Sequence, residues 1–512
     1  MSGTEWMLIV LFLALFAGIL SGIPAMLAIA GVPFGLAVIA AQVGLFDLSF
    51  LNVFPARVWG VMTNTLLMAV PLFVLMGVLL ERANLAEAML KVLARMLGGS
   101  PLGMGLSVLA FSTIIAASTG IIGATVVMLV LIALTPMIEA GVPKRQAAGL
   151  ICAAGTLGQI IPPSILLVLL GDQIGNTYLE AQQSRGNFAP EPVSVADLFA
   201  GAMVPGLVLV ALYALWLMLT LGRRGAAGAR IDKVAPREVL VTFLPPVLLI
   251  LAVLGSILGG VATATEAAGL GAVGAGLMAG FALARATIER AVIGAAGLAA
   301  FALVALRVAG FGRAGLDTLP GLLAALAALV MVAGVLTALV RLARGGMIQS
   351  AMVETAKISG MVFGIVIAAS MLSLVFRGFG GEHAVAHLMA QMPGGETGAL
   401  IAVMALVFAL GFILEAVEII YIVVPLLGPA VLAGDISPVW FAVLMAMNLQ
   451  TSFLTPPFGF ALFYFRSVAP PSITTIDIYR GVAPFVAIQL VALAAVFLFP
   501  RLATWLPDLM FN

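Results

Sequence analysis

Ala153-Ala-Gly-Thr-Leu-Gly-Gln-Ile-Ile-Pro-Pro-Ser164 and Met447-Asn-Leu-Gln-Thr-Ser-Phe-Leu-Thr-Pro-Pro-Phe458 state one pattern twice, about 300 residues apart. Each interrupts a long apolar segment with polar residues and a Pro-Pro pair. Proline removes a backbone donor and clashes with the preceding turn, so a helix cannot pass through unbroken. In lipid, the freed backbone groups survive only where protein or a wet cavity satisfies them. Two broken helices at matching positions of two halves point to the binding site of a secondary transporter.

Composition sets the frame for that pattern. Mean hydropathy is +1.24 and charged residues make up 9% of the 512-residue chain. Such a chain is a polytopic membrane protein, and at ~20 apolar residues per span it has room for about a dozen crossings. A net charge of +1 argues against a nucleic-acid partner. The single cysteine, Cys152, sits in an apolar run and reads as a packed thiol. Met1–Glu5 carries no positive charge, so Trp6 to Leu20 reads as a retained first span. The 56 glycines and 27 prolines suit close helix contacts and interrupted spans.

Hydropathy places spans at roughly 6–22, 23–45, 57–81, 145–171, 197–221, 238–258, 263–284, 290–309, 318–343, 352–376, 438–466 and 478–506. Two further apolar stretches, 102–136 and 397–433, exceed one span and carry an interruption at mid-length. These are Ser118-Thr-Gly-Ile-Ile-Gly-Ala-Thr125 and Leu414-Glu-Ala-Val-Glu-Ile-Ile-Tyr421, and they read as re-entrant hairpins. The loop around 222–237 holds Arg223, Arg224, Arg230, Lys233 and Arg237 against Asp232, so it belongs in the cytoplasm. The loop around 172–197 holds Asp172, Glu180, Glu191 and Asp197 against Arg185, so it can face out. Working outward from these two, Arg82, Lys91, Arg95, Lys144 and Arg145 fall inside, as do Arg285, Arg290, Arg341, Arg344 and Lys357. The first hairpin then has both ends inside and the second both ends outside. The order span, amphipathic connector, hairpin, broken helix occurs at 57–171 and again at 352–466 in opposite orientation, which is an inverted-topology repeat. The first connector places Leu85, Met89, Leu90, Leu93 and Met96 at helical spacing.

Several residues along this frame can carry chemistry. In the broken helices, Gly155, Thr156, Pro162 and Ser164, with Asn448, Thr451, Ser452, Thr455 and Pro456, offer hydroxyls, amides and unwound carbonyls. Neutral oxygens of this kind bind Na⁺, and the alternative is that Ser and Thr only satisfy the broken backbone. Gly155, Thr156, Thr451 and Ser452 are the expected Na⁺ ligands. At the hairpin tips stand Ser118, Thr119, Gly120 and Thr125, opposite Glu415 and Glu418. A carboxylate inside a membrane is costly and marks function by default, unless the tip is bathed in water. Thr263-Ala-Thr-Glu266 reads first as a capping box, with a cation or contact role for Thr263, Thr265 and Glu266 as the alternative. His383 and His387 lack further ligands at metal spacing and read as surface residues. No Walker motif, dinucleotide fingerprint or paired nucleophile and base is present, so the chain reads as no enzyme with no cofactor, and energy comes from an ion gradient or from another polypeptide.

On these residues the chain resembles the large membrane subunit of the TRAP (tripartite ATP-independent periplasmic) transporters. The similarity is carried by Ser118–Thr125, by Ala148–Ser164 (AGLICAAGTLGQIIPPS), by Gly259–Ala268 (GGVATATEAA), and by Leu414–Ser467 with NLQTSFLTPPFGFALFYFRS at its core. The resemblance implies an all-α, elevator-type inverted repeat in the bacterial inner membrane that takes up a small organic acid with Na⁺. Its implied partners are a small four-helix membrane subunit and a soluble periplasmic substrate-binding protein. The transport domain would be 97–171 and 392–466. The scaffold would be 1–96, 172–284 and 346–391, with 467–512 as a C-terminal span. The segment 285–345 departs from the family pattern by adding two spans. The late Pro-Pro motif is similar to the subgroup associated with 2-oxo acid, lactate or chloroaromatic substrates. A self-sufficient anion carrier without a binding protein remains the rival reading, and a channel or intramembrane enzyme the more distant one.

Overall fold

The computed structural model describes residues 3–83, 85–97, 99–119, 122–222, 234–311, 315 and 317–511, with the backbone alone at 3, 4, 117–119 and 308. Gly120, Arg223, Arg224, Arg230, Asp232, Lys233 and the side chains of Ser118 and Thr119 lie outside the described residues. All regular structure among the described residues is helical. The first half comprises α1 (Gly3–Leu20), α2 (Ala25–Gln42), α3 (Phe54–Thr63), α4 (Ala69–Arg82), α5 (Leu85–Met96) and α6 (Pro101–Thr119). There follow α7 (Ile122–Leu129), α8 (Thr135–Glu139), α9 (Lys144–Thr156), α10 (Ile165–Ser184) and α11 (Val195–Leu221). The middle is α12 (Pro236–Leu258), α13 (Ala264–Leu283), α14 (Thr287–Leu306) and α15 (Leu319–Arg344). The second half holds α16 (Met347–Gly378), α17 (Gly381–Ala390), α18 (Gly395–Leu410), α19 (Ala416–Leu432), α20 (Pro438–Leu454), α21 (Phe460–Val468), α22 (Thr475–Leu498) and α23 (Arg501–Phe511). Nine of the described helices are long and apolar enough to cross a membrane.

The repeat is visible element by element. The sequence α4, α5, α6 with α7, α9 with α10 is answered by α16, α17, α18 with α19, α20 with α21. α17 turns back into α18 through 120°. α7 passes through a π-helical stretch, Val130–Leu134, before α8. α9 ends at Thr156 and α10 begins at Ile165; α20 ends at Leu454 and α21 begins at Phe460. Both Pro-Pro pairs, Pro162-Pro163 and Pro456-Pro457, have cis peptide bonds.

Two expected spans are not continuous. The stretch 57–81 breaks between α3 and α4, because the Asn64 side chain accepts from the Leu66 and Leu67 amides and replaces helical bonds. The Thr65 carbonyl is freed there and accepts from the Thr265 hydroxyl on α13 at 2.8 Å. The stretch 478–506 is likewise divided, at Phe499-Pro500, into α22 and α23.

The helices pack as two groups. In the first, α2 lies along α16, α4 on α13 and α16, and α12 and α15 on α13, with α14 on α15. In the second, α9 lies along α22, α10 along α19, and α18 along α20; α11 packs against α6, α20, α22 and α23. The segment 172–284 therefore sends α11 to one group and α12 and α13 to the other. Lipid supplies no hydrophobic drive between spans, so close approach depends on small residues. At the crossing of α9 and α22, a Cβ on Gly149 would sit 2.0 Å from the Gly481 carbonyl oxygen. Arg145 on α9 meets Asp477 on α22 at 2.9 Å at the end of the same crossing.

Candidate functional site

The two hairpin tips and the two helix breaks meet in one place. A cavity of about 120 Å³ is lined by Ile122 and Gly123 of the first tip and by Glu415, Ala416 and Val417 of the second. The first break contributes Gln159 and Ile165, the second Phe453 and Phe460, and Met361 of α16 closes one side. The tips are built for this approach. Gly123 is buried against the Tyr464 ring, and a Cβ there would lie 2.7 Å from it. On the second tip Glu415 and Glu418 form a reciprocal capping box at the start of α19, with the Glu415 amide donating to Glu418 at 3.2 Å. Glu418 is buried and Glu415 half-buried, so neither is an ordinary solvated carboxylate. Tyr464 lines the same cavity as Glu415.

Behind the cavity lies a neutral polar cluster. The Thr156 hydroxyl donates to the Ala153 carbonyl at 2.8 Å. Its oxygen accepts from the Gln450 amide at 3.3 Å and the Gln489 amide at 3.5 Å. All three side chains are buried, so each bond runs in a low-dielectric interior where losing it is expensive. Thr156 thus has its lone pairs occupied. Thr451, Ser452 and Thr455 differ: each donates to a carbonyl of its own helix, at 2.7, 2.9 and 2.7 Å, and keeps its oxygen lone pairs. Ser164 donates to the Gln159 backbone carbonyl at 3.1 Å, across the turn that carries the first proline pair. Asn448 donates to the Met404 carbonyl on α18 at 2.6 Å, fixing hairpin to broken helix.

The remaining expected residues fall as follows. Gly155 packs against Val126 of α7, 2.4 Å from a would-be Cβ, so its smallness serves helix contact. Thr125 and Pro162 are buried, and Pro456 is half-buried. Thr263 and Glu266 form the capping box at the start of α13, away from the cavity. His387 of α17 bonds Gln391, just past the end of that helix. Three polar residues were not singled out from sequence: Gln159, Gln450 and Gln489. The first two stand three and six residues before a Pro-Pro pair, and that offset is a readable signal. Gln489 has none, because it lies in an ordinary span.

A second, polar cavity of about 480 Å³ opens between α3, α10 and α16. There Arg377 pairs with Glu180 at 2.6 Å and Glu382 at 2.7 Å, and Asn64 donates to Asp172 at 2.8 Å.

The family model described as the Tripartite ATP-independent periplasmic transporter, DctM component, matches residues 8–339 and 295–502. The C4-dicarboxylate TRAP transporter large permease protein DctM of Vibrio cholerae is 26% identical over 449 residues, covering 87% of this chain and 86% of that protein. The isethionate TRAP transporter permease protein DctMQ of Oleidesulfovibrio alaskensis is 27% identical over 433 residues, 83% of this chain and 56% of that longer protein. In fold, the chain is similar to the YdaH transporter of Alcanivorax borkumensis, with a TM-score of 0.52 at 14% identity over 90% of this chain and 88% of that one. A multi-pass helical chain matched over nearly its whole length by a transporter family is no enzyme. It belongs to the tripartite ATP-independent periplasmic transporters, as their large permease subunit, the DctM component.

Proposed function

We propose that this chain performs Na⁺-driven uptake of a small organic acid across a bacterial inner membrane, with the cavity at the tips and breaks as its substrate site. The observation that carries the reading is the convergence of both tips and both breaks on one cavity. Broken spans gather backbone dipoles and unwound carbonyls at mid-membrane, where an anion and its coupling cation can be held together. Thr451, Ser452 and Thr455 provide neutral oxygens with open lone pairs for Na⁺, while Gly155 and Thr156 act by holding α7, α9, α20 and α22 in register. The group containing α6–α11 and α18–α23 moves as an elevator against α1–α5 and α12–α17. A small four-helix subunit braces the latter group, and a periplasmic binding protein delivers substrate; the greater length of the DctMQ relative supports a second membrane component. The subgroup resemblance of the late Pro-Pro motif supports a 2-oxo acid or lactate-like monocarboxylate as cargo.

The test is uptake of labelled pyruvate and lactate into proteoliposomes holding this chain, its small subunit and its binding protein. Uptake that requires both Na⁺ and the binding protein is expected. Uptake persisting when choline replaces Na⁺ would remove the cation coupling. Uptake by the chain alone would instead make it a self-sufficient carrier. Thr451→Ala is expected to raise the Na⁺ concentration needed for half-maximal uptake; an unchanged Na⁺ curve would take Thr451 out of the ion site.

A further inference from the structure

Three helices lead from the first cavity into the second. Leu169 of α10, Val362 of α16 and Val417 of α19 line the first. Gln173, Val366 and Tyr421, each four residues further along the same helix, line the second. Four residues are about one helical turn, so the cavities follow one another along a single interface between α10, α16 and α19.

The charged groups of the second cavity are unequally matched. Arg377 holds Glu180 at 2.6 Å and Glu382 at 2.7 Å. Asp172 accepts from the Asn64 amide at 2.8 Å and from the Tyr421 hydroxyl at 3.3 Å. Arg57 of α3 lines the same cavity and forms no ion pair among the described residues. Its half-buried guanidinium donates to the Ser373 hydroxyl at 3.5 Å. The planar fork of a guanidinium matches a carboxylate through paired bonds, and one long bond to a hydroxyl leaves most of its donors open. A cation drawn partly out of water without a bound counter-charge is costly, and an incoming anion offsets that cost. The acids of the cavity already have donors, so the group left to bind a ligand is the cation.

We infer that the second cavity is an entry site for the transported acid, whose carboxylate docks on Arg57 one turn outward of the first cavity. Loop charge turns this end toward the periplasm. The inference rests on the reading of the chain as a carrier of small organic anions, and it adds a second binding site for the same anion. The site asks only for a carboxylate, so pyruvate and lactate both fit it.

The test places the chain and its small subunit in proteoliposomes, with Cys152→Ala and with Asn176→Cys as the sole thiol of this chain. Asn176 is exposed and lines the cavity. Without the binding protein, pyruvate and lactate are expected to slow modification at 176 by an uncharged thiol reagent. Lactamide, the neutral amide of lactate, should not. Arg57→Gln should abolish the protection and lower uptake from loaded binding protein about tenfold, the loss of one charged hydrogen bond. Arg57→Lys, which keeps the charge, should retain most of both. Equal protection by lactamide, protection that survives Arg57→Gln, or undiminished uptake by that variant would overturn the inference. Protection by ligand-free binding protein and not by the acids would overturn it too, by making the partner of Arg57 a carboxylate of that protein. Ser370→Cys replaces Asn176→Cys, and Arg57→Met replaces Arg57→Gln, if the first choice does not fold. Failure of the cargo reading would show separately, as a complete unaltered system that takes up neither acid.

Discussion

Thr156 and Gln450 occupy equivalent positions of the two repeats, each six residues before its Pro-Pro pair, and they are bonded to each other at 3.3 Å. Residues related by a pseudo-two-fold axis touch only when they lie near it, so this bond marks the axis. Gln159 and Phe453, each three residues before a proline pair, are likewise equivalent and both line the cavity. Thr156→Val keeps the shape of the side chain and strands two buried amide donors. The expected outcome is a loss of about 1–3 kcal/mol, read as a lower melting temperature in detergent, with expression retained. Gly123→Ala should press a methyl group against the Tyr464 ring and displace that ring at the cavity; uptake is expected to fall at least tenfold in a folded protein. The polar residues beside the proline pairs were legible in the sequence because polarity in an apolar run is conspicuous. Their partners were not: Gln489 is 333 positions from Thr156 along the chain, and nothing local connects them. The roles of the hydroxyls were equally hidden, because donation to a helix's own carbonyl is a matter of rotamer.

At the scale of the element, hairpins, connectors and broken helices could be read because each carries a local contradiction: too long for one span, amphipathic, or interrupted by prolines. The break at Asn64 carries no such mark. Asparagine among apolar residues only slightly lowers hydropathy, and its capping of the Leu66 and Leu67 amides is set by geometry. The crossing of α9 and α22 was also invisible, since a glycine-rich span does not announce which neighbour it approaches. That crossing makes a sharp prediction. Gly149→Ala would place a methyl against backbone that cannot turn aside, and the variant is expected to lose folded protein in size-exclusion chromatography. Gly35→Ala on α2, where a Cβ meets nothing within 4 Å, is the control. It should be neutral or stabilise by up to about 1 kcal/mol, because alanine is the better helix former.

Over the whole molecule, the ion pairs are arranged by group. Arg82 pairs with Glu354 and Arg95 with Glu238 inside one group of helices, while Arg145 and Asp477 tie α9 to α22 inside the other. Between the groups, the second cavity supplies Arg377 with Glu180 and Asn64 with Asp172. Partly exposed pairs of this sort contribute about 0–1 kcal/mol each, weak enough to be broken and remade during a cycle. A disulfide is not. With Cys152→Ala, the pair Asn64→Cys and Asp172→Cys should cross-link under oxidation and stop uptake, and reduction should restore it. Full uptake by the cross-linked protein would rule out movement of α10 past α3. Charge counting along the chain could not assign α11 and α22 to a group, because group membership is written in side-chain packing.

The joint at Thr156, Gln450 and Gln489 contains only a hydroxyl and two carboxamides. None of these changes its charge between the acidity of an environmental medium and that of the cytoplasm. The part of the machine that aligns its two broken helices is therefore deaf to protons. Any sensitivity of uptake to external acidity must enter elsewhere, and the second tip offers a route, through Glu415 at the cavity and Glu418 capped against it.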